Sequence, residues 1–382
     1  MLFGSYETFV GVILAVGGFR LVRKFMPQQQ VLQELTLLVV NAAILLTIVR
    51  EHTLIVLALL SLLVYAVGRA AKGQRVAIAS AIAAVITLFA ARNYEALRMA
   101  LPALEGPLLS VERVGLSYIV FRMVHWLVEN RKSQIHSARP LTFLNYIFFF
   151  PTFLAGPIDT YPNFHHSAGR PPHAGWLAYG VGRITLGAAK TLLLVPIVRP
   201  WAMDFHVVAT DTGLPNGLAL ALSLLAYSAY ILFDFSGYSD IAIGVGRLLG
   251  FRLPENFRTP YLATNLADFW RRWHISFSTF LRRYVFKPIL ALLNRSARLA
   301  RHREVVTVTA YLATFLICGL WHGDALHFAV WGLWHGVGLS VARLYRNRRP
   351  SWAHGRLYDW ASTALTFTFV TIGWYAFHYE LG

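Results

Sequence analysis

Residues 321–336 read WHGDALHFAVWGLWHG, and an apolar run long enough to cross a bilayer lies on each side of them. A histidine at membrane depth loses its hydration, so such residues are rare there and mark functional sites by default. Burial also favours the neutral imidazole, which is the form that can accept a proton. This stretch therefore predicts catalysis inside a membrane, and composition alone leaves open whether His322 is catalytic or structural.

The composition indicates an integral membrane protein. Of the 382 residues 56% are hydrophobic and 14% charged, and the apolar ones gather in segments close to the length that crosses a bilayer. The clearest segments are 6–22, 31–49, 53–67, 76–91, 141–156, 176–198, 217–233, 305–320, 325–342 and 360–377, with more polar candidates at 111–127 and 239–249. We therefore expect an all-α, polytopic bundle of about 10–12 transmembrane helices plus re-entrant or interfacial helices.

The net charge of +17 has a topological explanation that needs no nucleic acid. Basic residues cluster in short connections, as the positive-inside rule requires for cytoplasmic loops. The richest clusters are Arg282, Arg283, Lys287, Arg295, Arg298, Arg301 and Arg303, and then Arg343, Arg346, Arg348 and Arg349. Such a surface attracts anionic membrane lipids and could also attract an acidic cytosolic partner.

Metal and disulfide chemistry find little support in the sequence. The lone cysteine, Cys318, excludes an intramolecular disulfide and a multi-cysteine metal site, and it is interpreted as a small core residue. His165, His166 and His173 lie close together, but in a proline-rich connection expected to be irregular and flexible. No metal is assigned.

Three regions carry polar residues that a helical bundle does not need for its packing. In 233–240, FDFSGYSD, Ser236 and Asp240 would share one helix face, and a structural polar network is the favoured interpretation. Downstream, the Gly246-xxx-Gly250 spacing favours close helix packing.

The second region covers residues 254–276. Aromatic residues recur every three to four positions, which predicts a helix at the interface or re-entering the bundle. Asp268 is expected to pair with Arg271 and Arg272, or these arginines to snorkel. An interfacial anchor does not explain His274, which falls on the aromatic side.

The third region is the opening stretch itself. Gly332-xxx-Gly336 favours a tight helix contact, and Trp331 and Trp334 could be membrane-belt aromatics. On a continuous helix His335 would turn well away from His322, so a structural role is expected for it.

Several stretches together carry a family resemblance: GLSYIVFR at 115–122, FFFPTFLAGPIDTY at 148–161, FDFSGYSD, ENFRTPY at 255–261, DFWRRWHIS at 268–276 and WHGDALHFAVWGLWHG. They resemble the membrane-bound O-acyltransferase family, in its bacterial cell-surface branch of teichoic-acid D-alanyl and alginate acetyl transfer. The resemblance implies N-terminal transmembrane helices in 1–110, a catalytic core in 111–345 and a C-terminal transmembrane helix in 346–382, all in one integrated membrane domain.

The resemblance also implies a function. Such proteins move an acyl group, D-alanyl or acetyl, from a cytoplasmic thioester across the membrane to hydroxyls of a cell-surface polymer. The donor would be an acyl carrier protein with a phosphopantetheine arm or acyl-CoA, with no bound cofactor. Implied partners are the cytoplasmic carrier protein, an SGNH-hydrolase-like extracytoplasmic protein and the polymer acceptor, at a bacterial inner membrane. The alternative is a transporter or lipid-binding scaffold without this chemistry.

The resemblance assigns catalytic positions to His322, as general base, and to His274, which would orient the thioester or stabilise an oxyanion. A transient acyl-histidine is a variant of this mechanism. Expected substrate-binding residues are Trp273, Asn256, Tyr261, Trp321 and Asp268. Counting crossings leaves His274 near the cytoplasmic side and His322 near the outer side. The two meet only if the region around 255–290 dips into the membrane.

Overall fold

The computed structural model describes residues 6–71, 74–100, 115–131, 139–168, 175–202, 204–348 and 354–379, and these contain helices and no strand. This confirms the all-α prediction. The chain divides into two compact units, each described below by itself: one comprises residues up to Gly187 with Tyr238–Pro254, the other Ala188–Gly237 with the chain from Glu255 on. The three domain ranges expected from the sequence stay a prediction.

The helices of the first half are α1 Tyr6–Phe25, α2 Gln30–Leu45, α3 Glu51–Ala70, α4 Arg75–Asn93, α5 Glu95–Ala100, α6 Leu116–Arg131, α7 Pro140–Ile147, α8 Tyr161–Ala168 and α9 Gly175–Ala202. Those of the second half are α10 Phe205–Thr212, α11 Asn216–Leu248, α12 Leu266–Arg272, α13 Ile275–Leu281, α14 Lys287–Leu293, α15 Ala297–Ala300, α16 Arg303–His322, α17 Leu326–Asn347 and α18 Arg356–His378. A π-helical turn, Arg282–Phe286, joins α13 to α14.

Five of the described helices, α3, α4, α9, α11 and α16, are long and apolar enough to cross a membrane. They carry many large apolar side chains on their outside, such as Leu59 and Leu192, which are 62% and 71% exposed. In water this surface would be costly, whereas lipid solvates it. The protein is therefore a multi-pass membrane protein, and the total of about 10–12 spans stays a prediction.

Two of the predicted segments form one helix. The apolar run 217–233 and the more polar run 239–249 were expected as separate segments, but α11 continues through both over 33 residues. The polar positions Ser236, Ser239 and Asp240 are buried in this helix. Asp240 forms an ion pair with Arg183 of α9, as a structural polar network requires.

The predicted span 141–156 is wrong, because α7 ends at Ile147 and a short 3-10 turn follows at Phe150–Thr152. The guanidinium of Arg122, 1% exposed, donates to the carbonyls of Tyr146, Ile147 and Thr152 at 3.0, 2.6 and 2.5 Å. A helix end needs partners for its last carbonyls. Arg122 supplies them, so the chain can leave the helix inside the unit.

The connection 159–173 was expected to be irregular, but its first part is the helix α8. Pro162 stands in the first turn, where a missing N–H costs nothing. His165 and His166 therefore lie on an ordered helix, and His173 lies outside the described residues. The expectation of a flexible loop is wrong for the described part.

Glycine contacts bring helices together at two places. Helix α17 packs on α16 through Gly332 and Gly336, as predicted: a Cβ on Gly332 would stand 2.2 Å from the carbonyl oxygen of Phe315. In the other unit the close contact is made by Gly244 rather than by the expected Gly246-xxx-Gly250 pair. Gly250 has a φ of +90° and ends the helix beside Arg23, so it serves a turn.

Candidate active site

His274 stands between α12 and α13 with a left-handed backbone, φ 41° and ψ 54°. This conformation costs a residue with a Cβ about 1–2 kcal/mol, although histidine is among the residues that adopt it more readily. Two backbone hydrogen bonds hold the strained turn against the preceding loop: Ile275 N–H to Asn256 O at 2.9 Å, and Arg258 N–H to Arg272 O at 2.9 Å. Strain maintained in this way is typical of functional sites.

The side chain of Asn256 fixes the protonation of the His274 ring. Its Oδ1 accepts from the backbone N–H and the hydroxyl of Ser276, at 3.3 and 2.9 Å. A backbone N–H can only donate, so this atom is the amide oxygen. His274 Nδ1 lies 3.0 Å from the same oxygen and must carry the proton. In the neutral ring Nε2 is then the unprotonated nitrogen.

The His274 ring is neutral and its Nε2 can accept a proton. Burial, and to a lesser degree the charge of the nearby His322 ring, lowers the pKa of His274 to about 3. Nε2 has no hydrogen-bond partner among the described residues. A neutral ring of this tautomer cannot donate from Nε2, so the expected oxyanion-stabilising role does not fit it, whereas orienting a substrate N–H or O–H does.

His322 is the last residue of α16, and the chain turns at Gly323–Ala325 before α17 begins. Its half-buried ring lies edge-on to Trp331 and Phe377, with centroids 5.1 and 4.9 Å away. Because the helix breaks here, the assumption of one continuous helix through His322 and His335 is wrong.

A series of ring contacts joins the two histidines. His274 stacks on Phe277 at 5.0 Å, Phe277 contacts Trp321 at 4.6 Å, and Trp321 contacts His322 at 4.5 Å. On the other side of His274, Phe235 meets its ring edge-on at 4.6 Å. Residues 48 apart in sequence thus belong to one aromatic site, as the re-entrant interpretation of 255–290 requires.

Trp273 and Tyr261 lie in aromatic packing that continues to His322. Trp273 is 4% exposed and contacts Trp374 at 5.3 Å and Tyr261 at 6.1 Å. Trp374 contacts Phe377, and Phe377 meets His322. The Tyr261 hydroxyl donates to the carbonyl of Ser228 at 2.7 Å, which anchors the loop to α11. The role of both residues in substrate binding stays a prediction.

Asp268 has different surroundings from the other expected site residues. Its carboxylate pairs with Arg271 at 3.1 Å and with Arg272 at 2.8 Å, as predicted. Burial alone would raise the pKa of Asp268, but the hydrogen bonds from Arg272 and Arg271 outweigh it and hold the pKa below its ordinary value. This arrangement fits a local ion-pair group better than a substrate contact.

His335 and Trp331 are core residues. His335 is fully buried and contacts Trp331 and Trp270, each at 5.1 Å, and Trp331 is 2% exposed. Trp331 therefore does not belong to a membrane belt. Trp334 is more open and donates from Nε1 to the carbonyl of Phe369 at 3.1 Å. His327 Nδ1 lies 3.0 Å from the carbonyl of Ala376, which suits a structural role.

Four further side chains surround the histidines, those of Ser276, Phe235, Phe277 and Phe377, and the sequence pattern did not single out Ser276, Phe235 or Phe377. Only Phe277 had a signal, through its spacing in the aromatic stripe.

As for metals, the described ranges contain no group of three or more histidine, cysteine, aspartate or glutamate side chains placed to hold an ion.

The fold and the site define a multi-pass membrane protein with two histidines joined by aromatic side chains. Residues 12–376 match the membrane-bound O-acyltransferase family, and the chain belongs to that family. The resemblance expected from the motifs is thereby confirmed, and so is the class of enzyme, an O-acyltransferase.

Three relatives illustrate the range of the family. The teichoic acid D-alanyltransferase of Bacillus subtilis (strain 168) is 29% identical over 306 residues, which are 78% of this chain and 76% of the relative. A probable alginate O-acetylase of Pseudomonas syringae is 32% identical over 275 residues, 70% of this chain and 49% of the relative. The peptidoglycan O-acetyltransferase of Helicobacter pylori is 34% identical over 248 residues, 62% and 44%. The chain thus spans about half the length of the two acetyl-transferring relatives.

Proposed function

We propose that this protein transfers an acyl group, D-alanyl or acetyl, from a cytoplasmic thioester to hydroxyls of an extracytoplasmic cell-surface polymer. The observation that carries the proposal is the pair of His274 and His322, joined by ring contacts, in which Asn256 leaves His274 Nε2 unprotonated. The names of the relatives support the substrate classes, since they specify D-alanyl transfer to teichoic acid and O-acetyl transfer to alginate or peptidoglycan.

In the proposed reaction His322 is the general base. An alcohol attacks a thioester poorly until a base removes its proton, and a positioned base contributes about 10²–10⁴-fold to the rate. The ring of His322 takes the hydroxyl proton while the oxygen forms a bond to the thioester carbon. The carbon–sulfur bond breaks, and the imidazolium returns the proton to the leaving thiolate. The ester and the free thiol are the products.

His274 orients the reactants in this proposal. Its Nε2 accepts a hydrogen bond from a substrate N–H or O–H, while Asn256 holds the ring in place. Trp273, Tyr261 and Trp321 line the site and exclude water, which would otherwise hydrolyse the thioester. In the acyl-histidine variant, Nε2 attacks the thioester carbon instead, the carbon–sulfur bond breaks, and the leaving thiolate takes a proton from water. The acceptor hydroxyl then attacks the acyl carbon, gives its proton to His322 and displaces Nε2.

The positive charge of the second unit supports the proposed acyl donor and its carrier protein. The second unit exposes basic side chains near the start of α16 and the end of α17: Arg282, Lys287, Arg295, Arg298, Arg301, Arg303, Arg346 and Arg348. An acidic acyl carrier protein with a thioester-linked phosphopantetheine arm complements this charge, and the phosphate of acyl-CoA does so more weakly. An SGNH-hydrolase-like partner on the outer side and a bacterial inner membrane location complete the proposal.

The test is acyl transfer to the surface polymer in a deletion strain complemented with wild type, His322→Ala or His302→Ala. His302 is an exposed histidine just before α16, and it serves as the matched control. We expect wild type and His302→Ala to restore acylation and His322→Ala to fall by about 10²–10⁴-fold at equal membrane abundance. Mass spectrometry of the released acid decides between acetate and D-alanine. Full acylation by His322→Ala would contradict the proposal and favour a transporter or scaffold.

A further inference from the structure

A polar face runs along α11 on the part that belongs to the second unit. Tyr227, Tyr230 and Asp234 stand at positions i, i+3 and i+7, so they share one side of the helix. The helix is otherwise apolar enough to cross a membrane. A carboxylate inside such a helix is costly and is by default a functional-site hypothesis. The proposed reaction does not use these three side chains.

One end of this face reaches the surroundings of His322. The ring of Tyr227 lies 4.6 Å from that of His378 and 6.3 Å from that of Trp374. Trp374 contacts Phe377 at 5.8 Å, and Phe377 meets His322 at 4.9 Å. Aromatic contacts thus connect the face to the proposed general base.

The other end reaches the surroundings of His274. Asp234 directly precedes Phe235, whose ring lies 4.6 Å from that of His274. The seven residue steps from Tyr227 to Asp234 span about 10 Å along the helix, at 1.5 Å per residue. The stretch of α11 that carries the polar face therefore has aromatic contacts with the surroundings of both histidines.

The carboxylate of Asp234 is half-buried and can accept hydrogen bonds from a ligand. Arg199 of the same unit interacts with it electrostatically, and in the part of the chain that the structure describes no salt bridge to Asp234 is formed. The ring of Tyr230 is also half-buried and lies 5.8 Å from that of Tyr227. The face thus offers a charged acceptor and aromatic surfaces that remain partly open.

We propose that Tyr227, Tyr230 and Asp234 form the acceptor subsite, which binds a polyhydroxylated segment next to the hydroxyl that is acylated. Asp234 accepts a hydrogen bond from a neighbouring hydroxyl, and the tyrosines contribute apolar contact and further hydroxyl groups. An alcohol acceptor is rich in O–H donors, which a carboxylate binds with charge-assisted hydrogen bonds. This inference rests on the proposed function and names its acceptor site.

The experiment uses the full-length protein in membranes, a thioester donor and two probe alcohols, glycerol and 1-propanol. We expect wild type to prefer glycerol because its additional hydroxyls can reach Asp234. Asp234→Asn is expected to raise the KM for glycerol about 10-fold or more, and Tyr230→Phe about 2–10-fold, since hydrogen bonds to charged groups contribute more than neutral ones. The KM for 1-propanol and the hydrolysis of the donor without an alcohol should change less than 2-fold.

Tyr311→Phe is the matched control. Tyr311 lies on α16 of the same unit, and its ring stacks on Phe286 at 5.0 Å, away from the polar face. Unchanged transfer to 1-propanol shows that a variant is folded, and Tyr230→Phe, the milder change, covers the case in which Asp234→Asn does not fold. If both variants keep the wild-type preference for glycerol, the subsite assignment is overturned. If wild type acylates neither the alcohols nor the surface polymer in cells, the proposed function is overturned with it.

Discussion

Asn256→Ala tests the geometry on which the site depends. The substitution removes the one oxygen that accepts from the His274 ring and from the N–H and hydroxyl of Ser276. The hydroxyl can rotate toward another acceptor, but the ring N–H and the backbone N–H stay in a fully buried place. Each stranded donor costs about 1–3 kcal/mol, so we expect the free energy of unfolding to fall by about 2–6 kcal/mol. That is a large part of the roughly 5–15 kcal/mol typical of folded proteins.

Catalysis should suffer separately from stability. Without the Asn256 oxygen the His274 ring loses its orientation and its fixed tautomer. An increase of about 1.4 kcal/mol in the activation free energy already makes the reaction tenfold slower. We therefore expect acyl transfer per folded molecule to decrease at least about tenfold.

The assay combines thermal unfolding of the detergent-purified protein with acyl transfer normalised to the folded fraction. Ser276→Ala is the control for catalysis, because it leaves the bond between Asn256 and His274 in place and should cost about 1 kcal/mol. An Asn256→Ala protein with wild-type stability and activity, or a Ser276→Ala protein as inactive as Asn256→Ala, would refute the reasoning.

Three other predictions concern packing, charge and pH. Gly332→Ala places a Cβ 2.2 Å from a backbone oxygen of α16 and should push α16 and α17 apart, so we expect a clearly lower unfolding temperature. Gly182→Ala is the control, because its Cβ would have no atom within 4 Å and should leave the unfolding temperature unchanged. Asp268→Asn removes two partly exposed ion pairs and should lower the free energy of unfolding by at most about 1 kcal/mol, with acyl transfer unchanged. An increase in the KM of this variant would instead support the expected contact of Asp268 with substrate. The pKa of His274 is lowered from an unfolded value of about 6.5 to about 3, so the unfolded chain takes up its proton first as the pH falls. Stability should therefore decrease from about pH 6.5 downward, by up to about 2–3 kcal/mol at pH 4.5, and His274→Gln should show a flatter profile in pH-dependent unfolding.

The helical class, the α16–α17 contact and the ion pairs of Asp268 could be predicted because they depend on short-range spacing. Small residues four apart predict close helix contact, and charges three or four apart on a helix predict pairs. The two histidines were assigned for a different reason, since their motifs resemble those of the family; composition marked His322 as a polar residue in an apolar stretch but left its role open. These features need no knowledge of how distant segments meet.

The arrangement around His274 could not be predicted in the same way. Asn256 reaches the ring across 18 residues, through a turn whose left-handed backbone no spacing rule indicates. The continuity of α11 was missed because a polar stretch with buried partners resembles a loop in sequence. The end of α7 was missed because Arg122 replaces the helix in binding its carbonyls. In each case a tertiary partner overrides a local pattern.

The left-handed backbone at His274 sets local strain against packing at a single position. Glycine adopts φ 41° without the cost that a Cβ brings, so His274→Gly relieves about 1–2 kcal/mol of backbone strain. The same change removes a buried ring that contacts Phe235 and Phe277, and the cavity it leaves costs more than the strain it relieves. Selection for heat resistance alone would therefore retain a ring at this position, even if product formation were not selected.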